Sequence, residues 1–331
     1  MDSAIQPDPS ATPTTDATEV GAPQTSSIYQ ERILPTLRYL RRNRLMVQGL
    51  TILGALALMI ILSYLFYRQT DLYGEEQGVD GLSTALSVPA RIKPSWNPWG
   101  EFPLGTDEQG RDILAHLTVG TPLTLRIGLL AAAIGIGAGM ILAFISAYAG
   151  GWIDAIIRVL VDSLIPIPGL VILIIIATAL TPGKGLNVDQ LALAIAVLAW
   201  PGPARVIRSQ VLVMRERGYV QMARMSGTGS LGIIFKEMMP NLAPYILASY
   251  VAAVTGAILA TIGIETLGLG DIDAPTLGAM LYWIIELGAL LKGQWWWLLS
   301  PIFVIVLLFV GLFMISAGLD EVANPRLRRR V

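Results

Sequence analysis

Between Arg44 and Arg68 the chain carries no Asp, Glu, Lys or Arg, and the same holds for Ile127–Ile153, Ser163–Gly183, Met238–Ile264 and Trp295–Leu319. An α-helix needs about 20 consecutive apolar residues to cross a hydrocarbon core of about 30 Å, so each of these runs is a candidate transmembrane helix. A further run, Gln190–Ala204, is shorter and contains Pro201 and Pro203. The reading there is a fourth helix that is kinked or extended by the amphipathic Arg205–Met214 stretch. With Leu45–Tyr67 as the first, the runs predict six spans in an all-α polytopic membrane protein.

Composition agrees with that class. Only 14% of the 331 residues are charged, 54% are hydrophobic and the mean hydropathy is +0.62, whereas a soluble domain carries about 25% charged residues. Lys+Arg number 23 against Asp+Glu 24, in separated clusters, which excludes a basic face built for nucleic acid. With no Cys and a single His, the chain has no disulfide framework, no thiolate metal site and no His-based triad, so no catalytic and no metal-ligating residues are expected.

Arginine placement sets the orientation, because cytoplasmic loops keep Lys and Arg near helix ends. Arg32, Arg38, Arg41, Arg42 and Arg44 precede the first span. Arg205, Arg208, Arg215, Arg217, Arg224 and Lys236 fall between the fourth and fifth, and Arg326, Arg328, Arg329 and Arg330 follow the sixth. Six crossings put all three groups, and both termini, in the cytoplasm. The stretch from Gln69 to Gly120 leans acidic and lies on the other side. The organisation expected is a disordered tail over 1–28, a basic segment over 29–44, the first helix over 45–67 and an extracytoplasmic segment over 68–120. A five-helix core follows over 121–319, with a cytoplasmic loop at 215–240, and then a basic tail over 320–331.

The loop reads Tyr219-Val220-Gln221-Met222-Ala223-Arg224-Met225-Ser226-Gly227, then Ile233 and Met239-Pro240. It resembles the coupling loop of bacterial ABC importer permeases, in which a Glu-Ala-Ala triplet is followed by Gly four residues on, then Ile and Leu-Pro. Ala223, Gly227, Ile233 and Pro240 keep that spacing, while Gln221 and Met222 replace Glu and Ala. Further blocks are similar to the C-type permeases of the dipeptide, oligopeptide and nickel importers. They are Pro103-Leu104-Gly105-Thr106-Asp107 through Asp112, Gly150-Gly151-Trp152-Ile153-Asp154 with Arg158, Asp162 and Pro168, Trp200-Pro201-Gly202, Leu267-Gly268-Leu269-Gly270, and Asn324-Pro325-Arg326.

The resemblance implies a MetI-like type I importer permease in the inner membrane of a prokaryote. It implies a second permease subunit, two ATP-binding subunits or domains that hold ATP and Mg, and an extracytoplasmic solute-binding protein. The chain shows no Walker loop ending in Lys-Ser or Lys-Thr, so hydrolysis is expected on the partners and no cofactor on this chain. The solute implied is a peptide, with oligosaccharide as the alternative. An ion-coupled carrier working alone is a third reading, though no repeat of interrupted helices supports it.

Several residues carry more than one reading. The 219–227 stretch is either the knob that docks in an ATPase, ended at Gly227 by a left-handed cap, or a solvated loop. Asp154, Arg158 and Asp162, four apart, stack on one helix face; Arg158 and Asp162 are expected to pair with each other, as a structural bond or as a gate. Glu265, two residues before the Leu267-Gly268-Leu269-Gly270 turn, is either a pathway group able to bind sugar hydroxyls or an amine, or an interfacial carboxylate. His116 is expected to be solvated on an external helix, and Trp295, Trp296 and Trp297 to form an interfacial belt. Gly135, Gly137 and Gly139 read as close helix packing, and Arg326–Arg330 as a match for anionic lipid headgroups or for the cytoplasmic excess of basic residues alone.

Overall fold

A computed structural model of the chain describes residues 43–66, 91–95 and 102–323. The tail expected over 1–28, most of the 68–120 segment and the basic run Arg326–Arg330 lie outside the described residues. Among the described residues the regular structure is helical, with isolated bridges only at Thr106/Asp112 and Leu186/Gly270.

The helices in order are α1 (Arg44–Phe66), α2 (Ile113–Ala149), α3 (Gly151–Leu164), α4 (Gly169–Leu180), α5 (Val188–Ala199), α6 (Pro201–Arg215) and α7 (Gly218–Met225). A helical turn at Ser230–Gly232 and a π-helix at Ile233–Met238 lead into α8 (Met239–Thr266), followed by α9 (Leu277–Glu286) and α10 (Trp295–Ala323). Four helical segments are long and apolar enough to cross a membrane, and six spans result if the bent pairs α3/α4 and α5/α6 each count as one. The α5/α6 axis bends by 43° where Pro201 and Pro203 follow Trp200, as the prolines predict. The α3/α4 pair bends by 88° across Ile165–Pro168.

Two span boundaries differ from the apolar runs. Helix α2 starts at Ile113 rather than near Ile127, capped by the Asp112 side chain, which accepts from Leu114 N–H at 2.9 Å. It stops at Ala149 because Gly150 and Gly151 take φ of 61° and 53°, a left-handed turn. The third run therefore begins at Gly151, and Pro166 and Pro168 divide it.

Small residues let the helices approach closely, as membrane packing requires. A Cβ on Gly135 would lie 2.6 Å from the Ala199 Cβ and one on Gly139 2.7 Å from the Trp200 carbonyl, whereas Gly137 faces open space. Helices α1 and α10 close on Gly49, Gly311 and Gly318 in the same way. Ile113, Leu117, Trp296 and Trp297 meet in one core with residues of α1, α8 and α9. Trp296 and Trp297 are 5% and 1% exposed, so only Trp295 stands at the surface and the expected three-residue belt is corrected. Successive helical side chains point about 100° apart, and here two of the three turn inward. His116 is corrected too: it lies buried in the first turn of α2, not in solvent.

At the opposite end from the 215–240 loop, the α4–α5 and α8–α9 turns are joined by backbone. Leu186 N–H donates to Leu269 O at 2.9 Å and Asp271 N–H to Leu186 O at 3.0 Å. A Cβ on Gly185, whose φ is +71°, would sit 2.0 Å from the Gly270 carbonyl. Gly185→Ala will therefore separate the two turns; hydrogen exchange at Leu186 and Asp271 rising by tenfold or more, about 1.4 kcal/mol, is the expected result, and unchanged protection would contradict it.

Candidate functional site: the coupling loop and the charged helix ends

Arg215 ends α6 and fixes where the loop begins. Its guanidinium donates to the Ala147 carbonyl at the end of α2 and lies 5.6 Å from the centre of the Tyr148 ring. From there α7 runs over Gly218–Met225, with Val220 fully buried in one cluster with Ala143, Ala147, Ile207, Val211 and Ile233. That cluster gathers residues of α2, α6 and the turn into α8 beside α7. The opposite face shows Met222 and Met225, 60% and 80% exposed. Arg224, Ser226 and Gly227 are also exposed, while Tyr219 and Ala223 are half-buried.

Gly227 closes the helix as expected. With φ at +80° its N–H donates to Arg224 O at 3.1 Å, and Thr228 N–H donates to Ala223 O at 3.1 Å. Gln221 turns back rather than outward, donating from Nε2 to Arg215 O at 3.2 Å. Beyond the cap, Ile233 is buried and Pro240 exposed. Pro240 has no N–H and its ring crowds the carbonyl four residues earlier. The chain meets that demand by widening to a π-helix, in which Met239 N–H reaches back to Ile234 O.

The charged residues of α3 do not pair as expected. Arg158 binds Asp154, one turn earlier, and Asp162 binds Arg205 of α6 at 3.3 Å. Asp154 is the hub: it accepts from Arg208 at 2.6 and 2.7 Å, from Arg158 and from Ser146 of α2. Two physical causes overturn the Arg158–Asp162 pair. An acid N-terminal to its base is the better i,i+4 order, and α6 brings its own arginines to α3.

Glu265 sits in the interior of the subunit, 3% exposed, on the α8 face that also buries Thr261. A Cβ on Gly278 would lie 2.2 Å from its Oε2 and one on Gly270 2.7 Å from its Cγ. The two glycines make the space for this carboxylate, which also lies beside Thr276 and the Gly278 backbone. Gly268, with φ of +74°, and Gly270 line a cleft with Thr178, Thr181 and Lys184. Glu265 lies behind that cleft wall, neither in the cleft nor at the surface.

A second polar group, missed by sequence reasoning, ties the segment before α2 to the α9–α10 connection. Glu108 receives Arg91, Lys292 at 3.0 Å and Gln294 Nε2 at 2.7 Å. The hydrogen bond from Arg91, followed by those from Lys292 and Gln294, holds its carboxyl down to about 2 against the opposing effect of burial. A depressed carboxylate stabilises above its unfolded value of about 4.3 and loses that contribution as pH falls through the folded value. The difference in thermal midpoint between wild type and Glu108→Gln is expected to be constant from neutral pH to about 5 and to vanish towards pH 2. A difference unchanged at pH 2 would contradict the assignment.

With this geometry in view, comparison with known proteins decides the family. The model of the binding-protein-dependent transport system inner membrane component matches residues 135–329, which spans α3 to α10 and the whole 215–240 loop. The chain belongs to that family. It is 31% identical over 292 residues to the dipeptide transport system permease protein of Bacillus subtilis, covering 88% of this chain and 85% of that one. The corresponding protein of Haemophilus influenzae is 30% identical over 249 residues, 74% of this chain and 81% of its own. The di/tripeptide transport system permease protein of Pseudomonas aeruginosa is 29% identical over 238 residues, 71% and 76% of the two chains. The chain is thus a multi-pass membrane component of a binding-protein-dependent transport system, as its helices require.

Proposed function

We propose that the chain forms half of the translocation pathway of an ATP-driven peptide importer. The observation that carries this reading is α7: a short helix buried on one side through Val220 and presenting Met222 and Met225 on the other, at the junction of α6 and α8. Such a knob transmits a push from a docked partner directly into two spans. The partners are a second permease, two ATP-binding subunits or domains carrying ATP and Mg, and a solute-binding protein. Both termini and the coupling loop lie in the cytoplasm, and the joined turns at Leu186 and Gly270 face the binding protein. The relatives are named for dipeptides and di/tripeptides, which favours a short peptide over an oligosaccharide.

In this scheme ATP-driven closure of the partners moves α7, and Arg215 and the π-helix pass that movement to α2 and α8. The chain itself binds no nucleotide. Reconstituted with its partners and binding protein in liposomes, it is expected to take up labelled dipeptide only with ATP, to stop with vanadate and to be indifferent to an ionophore. Uptake of an oligosaccharide but not a peptide would overturn the substrate; uptake without ATP and abolished by an ionophore would overturn the mechanism.

A further inference from the structure

The cleft between α3 and α6 is lined by Arg158, Asp162, Arg205 and Arg208, with Ser146 of α2 at its base. Three guanidinium groups face two carboxylates, those of Asp154 and Asp162, so the cluster holds one positive charge in excess. Asp154 is spent: Ser146, Arg158 and both donors of Arg208 already occupy it. The side chains of Arg158 and Arg205 are 55% and 60% exposed, and a guanidinium has five N–H donors, more than one carboxylate takes up.

Depth decides what meets them. At about 1.5 Å per residue the 37-residue α2 is about 55 Å long, nearly twice a hydrocarbon core of about 30 Å. Arg126 of α2, in its exposed pair with Asp189, marks one membrane face, and Ser146, twenty residues and about 30 Å further along the helix, comes to headgroup level at the other, where it fixes Asp154 and Arg208. On α3, Trp152 and Val159 stand on the flank next to Arg158 and are 73% and 64% exposed. An exposed tryptophan of this kind is the ordinary mark of the membrane–water interface. The surface thus offers guanidinium groups at headgroup height beside an apolar strip.

We propose that this cleft binds the phosphate of an anionic phospholipid of the cytoplasmic leaflet, with Arg158 and Arg205 as its ligands and Trp152 and Val159 against the acyl chain. The leaflet assignment rests on the orientation proposed above; the site itself does not depend on what is transported. Planar guanidinium groups match phosphate oxygens in pairs. The Asp162 carboxylate, 3.3 Å from Arg205, competes with the phosphate for the same donors. Removing it should therefore tighten lipid binding, a direction that damage to the fold would not produce.

The test places the complete transporter in bilayers of phosphatidylcholine with phosphatidylglycerol, extracts it in mild detergent and counts retained phosphatidylglycerol by native mass spectrometry. Wild type is expected to retain phosphatidylglycerol over phosphatidylcholine. Each of Arg158→Gln and Arg205→Gln lowers retention by about fivefold, Asp162→Asn raises it, and Arg126→Gln, on the exposed pair with Asp189 at the other membrane face, leaves it unchanged. No preference in the wild type, as when the second permease covers the cleft, would overturn the proposal. So would an Asp162→Asn variant that retains no more than wild type, or displacement by inorganic phosphate as effective as displacement by the lipid, which would assign the site to a free anion. Should the arginine variants fail to fold, Asp162→Asn alone decides.

Discussion

Gly227→Arg will abolish coupled uptake while the chain still reaches the membrane. At φ of +80° a side chain is strained whatever space surrounds it, and nothing lies within 4 Å of where a Cβ would stand. The strain, about 1–2 kcal/mol for a residue forced into the left-handed region, acts against the two bonds that close α7 at Arg224 and Ala223. One to two kcal/mol lowers the population of the closed cap by a factor of about 5–30. The arginine then adds bulk and charge on the exposed face that carries Met222 and Met225. Gln221→Ala is expected to be milder, because that amide bonds to Arg215 O within the chain. Uptake and ATP hydrolysis measured together in liposomes check both variants. Transport by Gly227→Arg equal to wild type would remove α7 from the coupling path.

Asp154→Ala will be the most destabilising single change within the charge cluster that joins α2, α3 and α6. The carboxylate is 7% exposed and joins α2, α3 and α6 through four donors. Its loss leaves Arg208, whose side chain is only 22% exposed, without its acid. Breaking a buried pair from one side costs about 3–5 kcal/mol, whereas an exposed pair contributes about 1 kcal/mol or less. Arg158→Gln, on a side chain 55% exposed, should therefore lower the thermal midpoint of the purified chain far less than Asp154→Ala. Equal shifts would show that Asp154 is not the hub.

The first, fifth and sixth spans were legible because arginines or turn residues bound apolar runs of bilayer length, and α1, α8 and α10 follow those runs within a few residues. The start of α2 was not. Its first turns hold His116, Thr118, Thr121 and Thr124, which lower hydropathy yet pack inward, Thr124 accepting from Leu277 N–H at 3.0 Å. The coupling loop was readable in its Gly227 cap, but not in the inward turn of Gln221, which depends on Arg215. Arg158 stands four residues from an acid on either side; the acid-first order favours Asp154, and α6, distant in sequence, supplies the Arg205 that takes up Asp162. Glu265 stood out as an acid at a helix end, but the space that receives it is made by Gly270 and Gly278, invisible until α9 folds back on α8.

The central claim is that this chain couples to cytoplasmic ATPases through α7. A cysteine placed at Met225, 80% exposed in a chain without native cysteine, allows crosslinking in the native membrane followed by mass spectrometry of the product. The account predicts a crosslink to a nucleotide-binding subunit, with a second permease and a solute-binding protein recovered in the same complex. A chain purified alone, uncrosslinked and still moving solute in liposomes without ATP, would contradict it.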